Sequence, residues 1–430
     1  MASLTAIAGC GAATAGTSAV KQFTDRAVAE NTDGILLRHA DFAHIAEAIE
    51  EEDPAILQAV ESVTKQAELA MEVLVRPVTS EKDEHPERLA PTGDPQDYVS
   101  LSPYWWPDPD VPSGVPYIRR DGEVNPERDL FDSTKMAIMG TAVRSLAWGY
   151  LATGDDRYAE RAAEHLRAWF ITPDTRMNPH VKFAQFVPGV SPGRPWGVID
   201  TLRVRWVPDA AHILLHSKHW TEEDHKALRQ WFSEYVDWLL TSDNGLMEQR
   251  AHNNHGTWYD AQVSIFSVFA GREELARERI EHSRQRMETH FASDGSQPHE
   301  LERTRSLHYT EFNIRAYMDV ATIAQLIGDD LLGHTTENGA SIRVALDFAE
   351  PYFAGEDEWR YQQIGEPRQY MFFQTLRRAA RLYDDPAYEE SVCKLAPLGE
   401  KNAWMGIVLP AIHDIECEPA KTTEVTNDHN

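Results

Sequence analysis

The sequence predicts an all-α fold, an incomplete α/α toroid of helical hairpins whose long loops form a cleft at one end. Three observations carry this. Apolar residues recur at helical spacing in segment after segment, short turns rich in Gly and Asp separate the segments, and no strand-rich stretch interrupts the series. Over 54–76, Ile56, Leu57, Val60, Val63, Ala67, Leu69, Met71 and Val75 make a broad apolar stripe. Helices follow over 132–153 and 156–171, parted by Thr153-Gly154-Asp155-Asp156, a turn with capping residues. Further helices are expected over 199–216, 221–241, 255–270, 272–292, 306–327, 339–353 and 367–383, with breaks at Gly271, Gly328-Asp329-Asp330 and Asp384-Asp385-Pro386. Such hairpins stack as an open solenoid or as a closed toroid. The irregular period and the long loops at 77–131 and 172–198 favour the toroid. Residues 1–35 and 418–430 are small or polar and are expected to be loose, which leaves 36–417 as a single domain.

Composition narrows the function classes. The chain has 430 residues and a formal charge of −28, and no basic stripe interrupts the acidic balance, so nucleic acid is excluded as a partner. An anionic ligand would need a local basic cleft to offset that field. Apolar residues make up 42% of the chain, enough for a core, yet no run is long and apolar enough to span a bilayer. Three cysteines, Cys10, Cys393 and Cys417, exclude a disulfide scaffold, and Cys393 with Cys417 is the candidate single bridge.

The most informative stretch is His252-Asn253-Asn254-His255-Gly256-Thr257-Trp258-Tyr259-Asp260, which mixes amides, imidazoles and aromatic rings between helical segments. That mixture suits a site for sugar acids. β-Elimination from a polyuronate has three requirements: donors that neutralise the C5 carboxylate, a base for the C5 proton, and an acid for the departing C4 oxygen. No cofactor is required. A second cluster, Glu300-Leu301-Glu302-Arg303-Thr304-Arg305-Ser306-Leu307-His308-Tyr309, supplies arginine and tyrosine.

Asn-Asn-His followed by an Arg-rich segment ending in Tyr resembles the alginate lyase family of α/α-toroid polysaccharide lyases. Tyr98-Val99-Ser100-Leu101-Ser102-Pro103-Tyr104-Trp105-Trp106-Pro107-Asp108-Pro109 and the stretch from Arg176-Met177-Asn178-Pro179 through Gln185 to Arg194 extend the likeness, which covers roughly residues 90 to 380. The resemblance implies Asn254 as carboxylate neutraliser, His255 as base or neutraliser, Tyr309 as acid, and Arg303 as the catalytic arginine. Were the second cluster one continuous helix, Arg305 rather than Arg303 would share the face of Tyr309. The resemblance also implies Asn178, Gln185 and Arg194 as substrate-binding residues. It implies an acidic polysaccharide as substrate, and export follows because a polymer cannot cross a membrane. Ile7-Ala8-Gly9-Cys10 resembles a lipoprotein cleavage box, so the expected location is secreted, periplasmic or lipid-anchored.

Stereochemistry divides the substrates. In mannuronate and glucuronate the C5 hydrogen and C4 oxygen lie on one side, so a single tyrosine can serve both steps. In guluronate they lie on opposite sides, which casts His255 as base and Tyr309 as acid.

Each residue also has a structural reading. Asn253 or Asn254 before an apolar run is an N-cap. His252 and His255 at i,i+3 lack a third ligand, so no metal is expected. Arg303 and Arg305 beside Glu300 and Glu302 fit a solvated salt-bridge face. Trp105 and Trp106, held between prolines, are expected on a loop, as a core plug or, with Tyr104, as a platform for pyranose rings. Tyr117, Arg119 and Arg120 are further candidates for gripping carboxylates. Asn253, Arg305, Trp258 and Tyr259 are also candidates for substrate binding, and Tyr259, at i,i+4 from His255, is expected to share its face more closely than Trp258. The competing functions are a glycoside hydrolase using Asp200, Asp260 or Glu300 as paired carboxylates, and a non-catalytic polyuronate-binding protein.

Overall fold

The structure, a computed structural model, describes residues 34–37, 39–367, 369–395, 402 and 404–413, with isolated positions 18, 21, 22, 25 and 415 beyond them. Cys10, Cys417 and the tail 418–430 lie outside the described residues, while Cys393 is disulfide-bonded. The helices are α1 (His39–Glu50), α2 (Pro54–Met71), α3 (Asp132–Thr153), α4 (Asp156–Leu166), α5 (Val207–Leu214), α6 (Glu222–Thr241), α7 (Asp243–Gln249) and α8 (Asn254–Phe269). They continue with α9 (Glu273–His290), α10 (Pro298–Leu301), α11 (Ser306–Leu326), α12 (Ile342–Phe353), α13 (Gln369–Tyr383), α14 (Pro386–Lys394) and α15 (Met405–Val408).

They pack as an α/α toroid. The inner wall runs α3, α5, α8, α11, α13, each helix touching the next, with α2 and α4 against α3, α6 and α9 against α8, and α12 and α14 against α13. Sequence explains the two layers. The outer helices carry an apolar stripe, whereas α3, α8 and α11 are buried on nearly every side and show none. Buried apolar residues from Ile35 to Leu409 form one continuous cluster. Gly34 to Leu37, at the edge of the stretch expected to be loose, are anchored: Asp209 accepts from the amides of Ile35, Leu36 and Leu37 at 2.8–3.3 Å.

Three expectations are corrected. The helix expected over 199–216 is split into a 3-10 helix, Pro195–Val204, and α5, because Pro208 has no N–H to bond the carbonyl one turn back. The helix expected over 156–171 is α only to Leu166 and ends in a π turn, Arg167–Ile171. The long loops are not structureless. β1 (Val99–Leu101) pairs parallel with β4 (Phe183–Phe186), and β2 (Trp105–Trp106) pairs antiparallel with β3 (Ile118–Arg119), so the two loops brace each other over one end of the toroid.

α2 and α3 meet at Gly149, where an added Cβ would sit 2.2 Å from the Ala67 Cβ. Gly149→Ala removes a glycine from a helix interior, which alone would stabilise by about 1 kcal/mol. Overpacking outweighs it. Chemical denaturation should show a net loss of about 1–2 kcal/mol, and a gain would contradict this packing.

Candidate active site

The inner helices run parallel, so their N-terminal ends share one face of the toroid. Ser133 of α3, Asn254 of α8, Tyr309 of α11 and Tyr370 of α13, all in or next to a first turn, line one cavity of about 820 Å³, roofed by the braced loops. Helix N-termini carry positive partial charge, and the cavity adds Arg119, Arg128, Arg194, Arg203, Arg303 and Arg315 against the carboxylates of Asp121, Asp200 and Glu302. A chain of charge −28 therefore encloses a basic cleft.

Two buried acids set the Asn-Asn-His segment. Glu300, 1% exposed, accepts from the Asn254 backbone N–H at 2.6 Å and from its side-chain amide at 2.7 Å. Burial pushes the Glu300 carboxyl up to about 7, the two Asn254 donors opposing it. Asn254 itself has no water-accessible surface, and its Oδ1 is without a partner. Glu248, equally buried, sits 2.6 Å from His255 Nδ1, which selects the tautomer protonated there and turns Nε2 to the cavity. Trp196 packs edge-on against the imidazole at 5.2 Å. Asn253 is the N-cap of α8, accepting from His255 N–H at 3.3 Å, and it borders the cavity as well. Arg286 fixes the approach to this segment by donating to the carbonyls of Ala251 and Gln249 at 2.6 and 2.7 Å while paired with buried Asp260.

Opposite lies Tyr309, 7% exposed, its hydroxyl 2.7 Å from that of Tyr104. The Arg303 guanidinium lies 3.8 Å from the Tyr309 ring centre and is held by Asp121 through two hydrogen bonds, at 2.9 and 3.2 Å. Burial pushes the Tyr309 phenol well above its ordinary value, Tyr104 adds to the shift, and Arg303 opposes it. The two rival arginines are placed differently. α11 begins at Ser306, so the helical face proposed for Arg305 does not exist; Arg303 lines the cavity and Arg305 does not.

The aromatic segment is a short strand, which corrects the expected loop. Strand residues alternate sides. Trp105 lines the cavity under the Arg194 guanidinium, 5.4 Å from its ring, whereas Trp106 turns away to Glu123 and Arg120. Gln185 lines the cavity in a left-handed conformation, φ 48°, and donates to Asp200 at 3.2 Å.

Three substrate-binding expectations are overturned by burial or distance. Trp258 is fully buried between Arg205 and Arg315, and Tyr259 is fully buried with its hydroxyl on the Leu239 carbonyl. On a helix walled in on all sides, sharing a face with His255 does not bring a residue to the cavity. Asn178 ties Asp94 to Asp97 and lies outside the lining. Tyr117 and Arg120 are also outside it. The hydrolase carboxylates fare no better. Asp260 is sealed against Arg279 and Arg286, and Glu300 holds Asn254, which leaves Asp200 alone facing the cavity.

Sequence reading missed Glu248, Asp121, Trp196 and Arg203. Asp121, Trp196 and Arg203 are remote in sequence from the residue they serve or the wall they complete, and Glu248, seven residues before His255, lies on a separate short helix, so a single sequence carries no clear signal of these pairings.

The alginate lyase family model matches residues 82–359. An alginate lyase from Bacteroides ovatus superposes with a TM-score of 0.80 at 35% identity, over 85% of this chain and 96% of that one. A variant of alginate lyase A1-III, from Sphingomonas species A1, complexed with a tetrasaccharide superposes with a TM-score of 0.51 at 18% identity, over 73% and 82% of the two chains, a likeness of fold. No curated protein matches the chain. The matched segment includes the Asn-Asn-His run, Arg303 and Tyr309, and on this family match and the Bacteroides likeness the chain belongs to the alginate lyase family.

Proposed function

We propose that this enzyme is a polysaccharide lyase that cleaves a 1,4-linked polyuronate, alginate or its relative glucuronan, by β-elimination. The observation that carries the reading is the meeting of Asn254, His255, Arg303 and Tyr309 around one basic cavity. Arg303 and the Asn254 amide neutralise the C5 carboxylate, so that charge can move onto it as the C5 proton leaves. Tyr309, which keeps its proton at neutral pH, donates it to the departing C4 oxygen. His255, with Nε2 turned inward, takes the C5 proton where it lies opposite the leaving group. Where both lie on one side, Tyr309 enters instead as the phenolate, a form that Arg303 favours against burial and Tyr104, takes the C5 proton and returns it to the C4 oxygen. Tyr104, Trp105, Gln185 and Arg194 are the substrate-binding residues of this reading. Among the described residues no helix is long and apolar enough to cross a membrane. We also place the enzyme outside the cytoplasm; the Cys393 disulfide supports this, being suited to an oxidising compartment.

Incubation with mannuronate-rich, guluronate-rich and glucuronate polymers should raise ultraviolet absorbance as unsaturated uronate ends form. A flat trace with all three, or saturated products, contradicts the proposal. Tyr309→Phe should abolish turnover while largely sparing substrate binding. Asn254→Ala should lower kcat about a hundredfold, for a donor worth about 3 kcal/mol in the transition state; an unchanged kcat returns that amide to a structural role.

Glu300 gives a pH test. Its folded-state carboxyl is raised from 4.5 to about 7, so unfolding releases a proton between those values. The protonated acid's contribution is therefore complete below pH 4.5 and is lost as pH rises through about 7. Thermal unfolding across pH 4 to 8 should show a decline through this window that Glu300→Gln flattens, and parallel profiles for the two proteins would contradict the assignment.

A further inference from the structure

One wall of the cavity takes no part in the elimination chemistry. Arg203, on the 3-10 helix Pro195–Val204, lines it, and among the described residues the guanidinium has no hydrogen-bond acceptor and no ion-paired carboxylate. The other cavity arginines are engaged. Arg119 and Arg303 pair with Asp121, Arg315 with Glu311, Arg128 with Asp129, and Arg194 donates to Ser102. Ser133, in the first turn of α3, is 3% exposed, and its hydroxyl, on the same cavity, also lacks a partner. The N-cap of α3 is Phe131, which offers no side-chain cap, so the positive end of a long helix is left open beside that hydroxyl. The nearest carboxylates in sequence are already satisfied. Asp132 is held by Lys82, Lys135 and the Val99 amide, and Asp200 accepts from Tyr98, Ser100 and Gln185.

A free guanidinium, a buried hydroxyl and an uncapped helix end are three donors with one kind of complement, a carboxylate. A neutral sugar would leave the cation unpaired in the wall. We propose that Arg203, Ser133 and the first turn of α3 form a subsite for the carboxylate of a second hexuronate unit, beside the one undergoing cleavage. This rests on the polyuronate reading and deepens it. The enzyme then requires consecutive uronates and discriminates against polymers in which a neutral sugar occupies that position.

The test is steady-state kinetics on hexuronate oligosaccharides long enough to fill both positions, with Arg203→Ala, Arg203→Lys and Ser133→Ala. Arg203→Ala should lower kcat/KM by about tenfold or more, carried by KM. Lysine should restore part of the loss, and Ser133→Ala should show a smaller rise in KM. A KM equal to wild type, or a loss carried by kcat alone, overturns the subsite. If wild type forms no unsaturated product, the elimination reading fails separately. Calorimetric titration with a hexuronate trimer then decides the subsite: weaker binding by Arg203→Ala supports it and equal binding overturns it. Thermal unfolding monitors the fold, and should the alanine variant not fold, Arg203→Lys and Ser133→Ala give the same two outcomes.

Discussion

The parallel course of the inner helices is the constraint on which the site depends. An α/α hairpin returns each chain to its starting end, so α3, α8, α11 and α13 all present their first turns to one face, and the backbone itself supplies positive potential there before any side chain is counted. A polyuronate binder with a charge of −28 needs that concentration of opposite field, since the rest of its surface repels the substrate. The arginines complete what the helix ends begin.

Buried carboxylates then fix the reacting groups. Glu300 holds the backbone and side-chain N–H donors of Asn254, Glu248 orients His255, and Asp121 pins Arg303 over Tyr309. None of these acids is a donor to substrate. Each converts a flexible side chain into one with a defined direction, which a site needs if its donors are to meet charge only as it develops. Arg286 extends the scheme one layer outward by clasping the carbonyls that precede the Asn-Asn-His segment.

Much of this was legible in the sequence. The helical period placed most of the toroid, and the residue types at 252–260 and 300–309 identified the two halves of the cavity, because each combines groups that a core would not hold together. Local arguments failed where tertiary context governed. Trp258 and Tyr259 sit on a helix buried all round, so adjacency to His255 carried no information about the cavity. Arg305 was a rival only under a helix that starts later, at Ser306. Trp105 and Trp106 form a strand because β3 lies beside them, a pairing that the prolines around them concealed. Asp121 and Arg203 act across the fold and leave no trace at the positions they serve, and Glu248 reaches His255 only because a turn folds α7 back on the start of α8.

The central claim is that the glycosidic bond breaks by elimination, with water taking no part. Mass spectrometry of products formed in oxygen-18-labelled water tests it most directly. At reaction times short against exchange of the reducing-end anomeric oxygen, the account predicts no isotope in either new end and an unsaturated fragment lighter by one water than its hydrolytic counterpart. Incorporation of the label with saturated ends would contradict it.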